Sequence, residues 1–395
     1  MQSSERIRGI VVGAEDGWEV HYHALEMRRA GQEVIMLSIG DHDIKTDVSI
    51  LDAMKASMDA GNLGYSAVSG SAGLREAIAE RVTRRTATPA TADQIVVTPG
   101  GQSALYSATL AAMDPGQSCI VLDPYYATYE QTMRAASVEP IKVICDADDG
   151  FQPDPERIAA AIRPDTGGIL INSPNNPTGT VYRRDRLEAV AQLCREHGLW
   201  ILSDEVYDTQ IWEGEYVSAR DLPGMADHVL VINSLSKSHA MTGSRMGWVL
   251  SPRHVRERLA DLLIATNYGL PGFIQDAAEF ALREAHAAEE AVVARYHHRR
   301  EVALKALGNG PGFRVVPPQG GMYIMLDIRE SGLSGGAFAF RLLEEERIAV
   351  MPGESFGQAS AGHLRIALTV AEDLLTDSLS RIARFAGRLA GTQAA

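Results

Sequence analysis

Cysteine and long apolar runs are scarce in this sequence, and their scarcity narrows what the protein can be. The 395 residues include three cysteines, Cys119, Cys145 and Cys194, whose wide spacing fits neither a disulfide framework nor a metal motif. No apolar stretch approaches the roughly 20 residues that span a bilayer, and the polar start MQSSERIRG has no signal-peptide core. These features argue against a disulfide-rich secreted domain or a membrane span, and predict a cytoplasmic protein without a metal.

Positive charge is also in short supply. The chain has 37 lysines and arginines against 51 acidic residues, for a formal charge of −14. Such a chain repels nucleic acids and anionic membranes, so we expect neither as a partner. A length of 395 residues favours two domains rather than one core.

Short β-branched runs alternate with helical patterns through the middle of the chain. QIVVTPG, SCIVLDP, PIKVICD, GGILINS, LWILSDE and HVLVINS are typical of buried strands. Strands that alternate with helices predict an α/β sheet covered on both faces. Both ends of the chain are more helical and predict a smaller α+β unit. We expect an N-terminal arm (1–45) that belongs to the small domain, a large domain (46–285) and a C-terminal small domain (286–395).

Polar segments follow these strands at their carboxyl ends, where ligand sites gather in such sheets. Gly101 and Gln102 open a helix after QIVVTP, a position that suits an anion or a tight turn equally well. Asn176 precedes a proline, which restrains its backbone. Asp204 ends an apolar run, and a buried carboxylate needs a partner. The next strand is followed by two hydroxyls, an amine and a guanidinium: Ser234, Ser236, Lys237 and Arg245.

Each of these features alone is typical of an ordinary turn or a solvated charge. Together they follow neighbouring strands, so they predict one site that holds a phosphate beside a reactive amine and a buried acid. The segments VTPGGQSAL, DPYYATY, NSPNNPTG, SDEVY, SLSKSHAMTGSRMGW and HLRIAL, in this order, resemble the motifs of class I/II aminotransferases. The resemblance runs from about residue 37 to about residue 368. WEVHYHAL, LPGMADHVLVINSLSKSHAMTG and GHLRIAL are most similar to the arginine–pyruvate transaminase branch.

The resemblance implies a fold, a cofactor and a reaction. The fold is fold type I, with a large domain built on a mostly parallel seven-stranded sheet between helices and a smaller α+β domain. The cofactor is pyridoxal 5'-phosphate. The reaction moves the amino group of an L-α-amino acid to a 2-oxo acid such as pyruvate, with ping-pong kinetics, in a homodimer that shares its active sites.

The resemblance also implies roles for individual residues. Lys237 would hold the cofactor as a Schiff base and shuttle protons, and Asp204 would pair with the pyridine nitrogen, with Tyr207 as a third catalytic residue. Arg365, Gly40 and Asn176 would bind the substrate. The remaining cofactor contacts would come from Gly101, Gln102, Tyr126, Asn176, Tyr207, Ser234, Ser236, Arg245 and, from the partner subunit, Tyr65.

Two departures from the family pattern bear on the substrate. The family segment GDPDFDTP reads GDHDIKTD at 40–47, without either proline. One branch of aspartate aminotransferases has a lysine where this chain has Gln102, and other branches use an arginine of the partner subunit instead. Gln102, together with the acidic segment 15–19 that we expect near the entrance, favours a basic or neutral amino donor.

Two alternatives remain open at this point, and a third is disfavoured. An aspartate aminotransferase or a carbon–sulfur β-lyase would share the cofactor motifs. A transcription regulator on this fold would need a DNA-binding module, for which the roughly forty residues before the core leave no room. Release of ammonia and pyruvate from cystathionine without an oxo acid would favour the lyase.

Overall fold

The computed structural model describes residues 3–11, 18–308 and 310–393. In these residues the β-branched runs form strands that belong to three sheets. The strands are β1 (Ile35–Met36), β2 (Ile95–Pro99), β3 (Ser118–Asp123), β4 (Glu139–Ile144), β5 (Thr166–Asn172), β6 (Trp200–Asp204), β7 (Val229–Ser234), β8 (Met246–Leu250), β9 (Arg314–Val316), β10 (Tyr323–Asp327), β11 (Ile348–Ala349), β12 (Met351–Pro352) and β13 (His363–Ala367).

Helices separate most of these strands along the chain, and short 3₁₀ turns add to them. The α-helices are α1 (Glu5–Arg8), α2 (Glu19–Arg29), α3 (Val48–Asp59), α4 (Ala72–Arg85), α5 (Gly100–Ala112), α6 (Tyr129–Ala135), α7 (Pro155–Ala161), α8 (Arg184–His197), α9 (Leu235–Ser238), α10 (Arg253–Thr266), α11 (Gly272–Arg283), α12 (His286–Leu307), α13 (Gly335–Glu346) and α14 (Glu372–Gln393).

The largest sheet has seven strands in the order β2-β8-β7-β6-β5-β3-β4. All pairs are parallel except those of β8, which runs antiparallel to β2 and β7. Strands β2, β3, β5, β6 and β7 are buried along nearly their whole length, as expected where helices cover both faces. The predicted fold class, a mostly parallel seven-stranded sheet between helices, is therefore confirmed.

The six apolar runs recognised in the sequence supply six strands of this sheet, and β8 is the seventh. Its sequence, MGWVL, has a glycine near its start, which weakens a strand pattern. Gly247 is needed there because an ideal Cβ would lie 2.5 Å from the carbonyl carbon of Gly100. Close backbone contact with the start of α5, rather than strand propensity, decides the residue at this position.

A second hydrophobic core brings the two ends of the chain together. It includes α2, α12, α13, α14 and the strands β10 and β13 of the antiparallel sheet β12-β13-β10-β9. The parallel pair β1–β11 joins the N-terminal segment to this core. The division of the chain at residues 45 and 285 stays a prediction. Within the described residues, no helix is long and apolar enough to cross a membrane, and no cluster of residues suits a metal ion.

Candidate active site

A cavity of about 250 Å³ lies at the carboxyl ends of the central strands of the large sheet. The last residues of β5, β6 and β7, which are Asn172, Asp204 and Ser234, all line it. Their proximity follows from the parallel register, in which Asn172 pairs with Asp204 on the neighbouring strand. The sheet therefore brings together side chains that are far apart in the sequence.

Twelve of the thirteen site residues expected from the sequence line this cavity, and the exception is Tyr65. The twelve are Gly40, Gly101, Gln102, Tyr126, Asn176, Asp204, Tyr207, Ser234, Ser236, Lys237, Arg245 and Arg365. Tyr65 is 90% exposed and meets the ring of Tyr268 edge-on at 5.2 Å between centroids. In a single chain it is thus not part of the cavity lining.

One end of the cavity is suited to an anion. Helix α5 begins there at Gly100, whose φ of +81° places its backbone in the left-handed region. An ideal Cβ on this glycine would lie 2.4 Å from a guanidinium nitrogen of Arg245, so a side chain there would displace that guanidinium. Ser234 and Ser236 are joined by a 2.8 Å hydrogen bond between their hydroxyls. A helix amino terminus, two hydroxyls and a guanidinium form a cradle for a phosphate.

Asp204 is a buried acid with few partners. Its carboxylate accepts hydrogen bonds from the Tyr129 hydroxyl at 2.6 Å and from the Val206 amide at 3.3 Å. Within the described ranges no cationic side chain lies within 4 Å of it. Burial raises the pKa of Asp204 to about 6, against the opposing effect of the Tyr129 hydrogen bond. A cation delivered by a ligand would restore the ionised form.

Lys237 lies on the short helix α9, directly after β7. Its Nζ donates a hydrogen bond to the Gly40 carbonyl at 2.6 Å. Gly40 packs so closely on Tyr323 that an ideal Cβ would lie 1.8 Å from the phenol oxygen. The amine therefore lies at the cavity, hydrogen-bonded to a backbone position that accommodates only glycine.

Arg365 is a buried guanidinium without a counter-charge. It is 1% exposed and lies between the rings of Tyr323 and Phe356, each centroid 4.3 Å from its central carbon. It donates to the Asn176 side-chain oxygen at 3.0 Å and to the Ser38 carbonyl at 2.5 Å. Its Nε has no partner, and no carboxylate of the described chain lies within 4 Å. Burial lowers the pKa of Arg365, so an anionic ligand would relieve an unfavourable charge.

Several cavity residues were not among the expected set. Tyr129 donates to Asp204, and Tyr323 accepts a hydrogen bond from the Tyr207 hydroxyl at 3.3 Å. Both occur in apolar or aromatic stretches, DPYYATY and GGMYIML, that gave no separate sign of a polar role.

His21, which is not part of the cavity lining, supports Arg365 indirectly. Its Nδ1 lies 2.9 Å from the hydroxyl of Ser38, whose carbonyl accepts from the arginine.

The fold and this cavity define a transferase of the class I and II aminotransferases, and the chain belongs to that family. The protein-family model described as aminotransferase class I and II matches residues 32–382 of the chain. Among characterised relatives, the chain is 42% identical to the arginine–pyruvate transaminase AruH of Pseudomonas aeruginosa, over 99% of this chain and 100% of that protein. It is 36% identical to an aspartate/prephenate aminotransferase of Thermus thermophilus, over 93% and 95% of the two chains.

Solved structures agree with this assignment. The aspartate aminotransferase of Thermus thermophilus with maleate superposes with a TM-score of 0.90 at 34% identity, covering 98% of this chain and 100% of that one. An aspartate aminotransferase of Thermotoga maritima gives 0.90 at 32% identity, covering 97% and 99%. The protein is an aminotransferase.

Aminotransferases of this family use pyridoxal phosphate, and so does this protein. The residues of the cavity fit the cofactor. The phosphate suits the cradle of Ser234, Ser236 and Arg245 at the start of α5. The pyridine nitrogen suits Asp204, a buried carboxylate without a cation, and the aldehyde suits the amine of Lys237.

Proposed function

We propose that this aminotransferase takes a basic or neutral L-α-amino acid as donor and pyruvate as acceptor, with the cavity residues in the roles expected from the sequence. The observation that carries the proposal is the composition of the cavity. Its lining contains one guanidinium, Arg365, that is buried and has no carboxylate partner, and this residue suits the α-carboxylate that every amino acid substrate has. Arg245, the other guanidinium among the described residues of the lining, would hold the phosphate, so neither arginine is left to bind a negative side chain.

Three residues would act directly on the bound substrate. The guanidinium of Arg365 binds the α-carboxylate and so orients the Cα–H bond. The Nζ of Lys237 removes the Cα proton as a general base and later returns a proton as a general acid. When bound, the cofactor supplies an electron sink for the charge that develops at Cα. Asp204 keeps a proton on the ring nitrogen, because an ionised carboxylate favours the charged form of its partner.

The remaining contacts would position these groups. Tyr207 and Asn176 offer a hydroxyl and an amide to the phenolate oxygen, and Asn176 also accepts from Arg365. Tyr126 is partly buried, lines the same cavity and offers its ring to the cofactor. These roles stay predictions until they are tested by substitution.

The position expected to read a side-chain carboxylate is already engaged. The Gln102 amide nitrogen donates to the Thr132 hydroxyl at 2.7 Å, and its oxygen accepts from the Thr128 hydroxyl at 3.0 Å. An acidic side chain would thus find a neutral amide that is turned toward α6. Trp18 also lines the cavity, and an indole face attracts guanidinium and ammonium groups. Both features support a donor without a negative side chain.

The acidic segment 15–19, which we expected near the entrance, lies in part outside the described residues. Glu15, Asp16 and Gly17 belong to the part that is not described, whereas Trp18 lines the cavity and Glu19 begins α2. The contribution of the acidic side chains to donor choice stays a prediction, as does the cytoplasmic location.

The test is the ratio of kcat/KM for arginine and aspartate, each with saturating pyruvate. We expect arginine, or a neutral amino acid in a parallel series, to exceed aspartate. A ratio that favours aspartate would overturn the substrate proposal and leave the aminotransferase assignment intact. Ammonia and pyruvate formed from cystathionine without an oxo acid would instead support lyase activity on the same site.

We also propose a homodimer in which Tyr65 serves the active site of the neighbouring subunit. Tyr65 contacts the exposed Tyr268 (52%), and two further exposed apolar residues, Leu63 (66%) and Ile264 (54%), lie close to this pair in the sequence. Exposed clusters of this kind are typical of surfaces that another protein covers.

Mixing two inactive variants tests this arrangement directly. In a mixed dimer of Lys237→Ala and Tyr65→Ala chains, one site would combine Lys237 of one chain with Tyr65 of the other. Random mixing should then restore about a quarter of the wild-type activity, since half the dimers are mixed and each has one intact site. If Tyr65 served its own chain, mixing would restore nothing.

A further inference from the structure

The segment 40–47, in which this chain lacks both family prolines, is held in place by side chains instead. Asp47 caps α3, because its carboxylate accepts from the Ser49 amide at 2.9 Å. Thr46 donates to the Ala240 carbonyl at 2.7 Å, and Asp41 accepts from the Thr242 hydroxyl at 2.8 Å. The contacts of Thr46 and Asp41 fasten the segment to residues 240–242, which follow Lys237 in the chain.

His42 connects this segment to two elements at once. Its Nε2 lies 2.9 Å from the carbonyl oxygen of Ser236, the residue before Lys237. Its Nδ1 lies 3.0 Å from the hydroxyl of Tyr296, a fully buried residue of α12. The two rings also meet edge-on, with centroids 5.4 Å apart. Thus one half-buried imidazole spans the gap between the lysine helix and the second hydrophobic core.

The partners determine the form of the imidazole. A carbonyl oxygen can only accept, so Nε2 carries the proton and Nδ1 accepts from the Tyr296 hydroxyl. A neutral imidazole has one donor and one acceptor, and both are used here. Burial and the nearby Lys237 charge lower the pKa of His42 to about 4, although Asp41 and Asp43 oppose the shift. Asp43 is itself paired with Arg299 at 2.7 Å, so the ring stays neutral at pH 7.

We propose that His42 is a positioning residue for Lys237. By bridging Ser236 and Tyr296, it holds the Gly40 carbonyl where the Lys237 Nζ can donate to it, at 2.6 Å. The free amine then remains beside the cavity with a fixed direction between proton transfers. In this chain the bridge does the work that restricted φ angles do in the proline-containing segment. The inference rests on the role proposed above for Lys237.

The test compares His42→Leu, which removes both hydrogen bonds, with His42→Gln, whose amide can donate and accept in the same way. We expect kcat of the Leu variant to fall about tenfold, with KM for the donor changed less than about threefold. The Gln variant should remain within about threefold of wild type. His298→Gln is the control. His298 is exposed on α12, the helix that also carries Tyr296, and it pairs with Glu372 at 3.0 Å.

A second readout does not depend on turnover. Amide hydrogen exchange over residues 38–47 should be faster in the Leu variant of the purified holoenzyme and unchanged in the Gln variant. Should the Leu variant fail to fold, Tyr296→Phe replaces it, with a smaller fall in kcat of about threefold and faster exchange over 40–47.

Two results would overturn the proposal: wild-type kcat in the Leu or Phe variant, whether or not exchange is faster, or a Gln variant as slow as the Leu variant. The kcat is measured with whichever donor is fastest, so an error in the substrate proposal does not affect the outcome. Borohydride fixation of the cofactor, measured separately, reveals an error in the role of Lys237.

Discussion

The buried Arg81, outside the cavity, has partners of opposite charge, whereas the buried Asp204 and Arg365 inside it do not. Arg81, which is 3% exposed, binds Asp208 through two nitrogens at 2.6 and 3.1 Å, and Glu289 at 3.0 Å. In the cavity, neither Asp204 nor Arg365 has an oppositely charged side chain within 4 Å among the described residues. Folding thus pairs Arg81 with two carboxylates and leaves Asp204 and Arg365 for a ligand.

Two adjacent acids, neither with a cationic partner in the described part of the chain, differ in the number of their hydrogen bonds. Glu205 accepts from Ser203 at 2.8 Å, from Ser218 at 3.0 Å, from the Ala219 amide at 3.1 Å and from Tyr216. Asp204 accepts two hydrogen bonds and faces the cavity. Burial raises the pKa of Glu205 to about 7 and that of Asp204 to about 6. Burial alone therefore does not distinguish the two acids, whereas the number of their hydrogen-bond donors and contact with the cavity do.

The largest effect should come from Lys237, the amine among the unpaired groups of the cavity. Lys237→Ala should lower kcat by at least about 10²–10⁴-fold, the usual contribution of proton transfer by a positioned group. It should also abolish the covalent cofactor that borohydride fixes to the chain, measured by intact mass. Lys55, an exposed lysine paired with Asp59, is the control, and Lys55→Ala should be normal. Ordinary turnover in Lys237→Ala would contradict its role.

Loss of charge should lower the rate at Asp204 and the stability at Glu205. Asp204→Asn should raise the activation barrier by about 3–5 kcal/mol, because the amide leaves a ligand cation without its partner. Cofactor affinity should change less than kcat. Glu205→Gln is the matched control and should mainly lower the melting temperature, since the four donors then meet an amide. Near-normal kcat in Asp204→Asn would refute the assignment.

Arg365 should contribute to substrate capture. Arg365→Met should lower kcat/KM for the amino donor by about 10²–10³-fold, because charge-assisted hydrogen bonds to the carboxylate are worth about 1.5–3 kcal/mol each. The loss should be similar for all donors, since all share the α-carboxylate. A loss confined to one donor would mean that Arg365 reads a side chain instead.

The smallest effect should be a change of preference at Gln102. Gln102→Lys should raise kcat/KM for aspartate about tenfold relative to arginine, because a charged partner strengthens the bond to a side-chain carboxylate. Gln102→Leu is the control: it loses the same contacts with Thr128 and Thr132 without adding charge. An equal change in both variants would show that loosening α6, rather than charge, sets the preference.

The sequence predicts this arrangement in part, because strand patterns and the residues that follow them are local. The acid after LWILS and the lysine after HVLVIN could be placed at one sheet edge from periodicity and connection rules alone. The environment of Arg365 could not. Its ring contacts with Tyr323 and Phe356 depend on the pairing of β10 with β13, in which Met325 lies opposite Arg365. No local pattern reports that pairing.

The same limit applies to groups that act through other groups. The bridge made by His42 joins residues 194 and 254 positions away in the chain. In the sequence it is visible only as a missing proline. The departure from the family pattern marks the position, whereas the contacts of His42 that take the place of the proline follow only from the three-dimensional structure.

The central claim, that the cavity charges are unpaired for the sake of a ligand, is tested most directly by the unfolding free energies of two arginine variants in the absence of substrate. Arg81→Met should lose about 3 kcal/mol or more, because it strands a buried carboxylate. Arg365→Met should lose less than about 1 kcal/mol, because relief of an unpaired buried charge offsets its lost hydrogen bonds. A loss in Arg365→Met as large as that in Arg81→Met would contradict the account, since it would make Arg365 a structural residue.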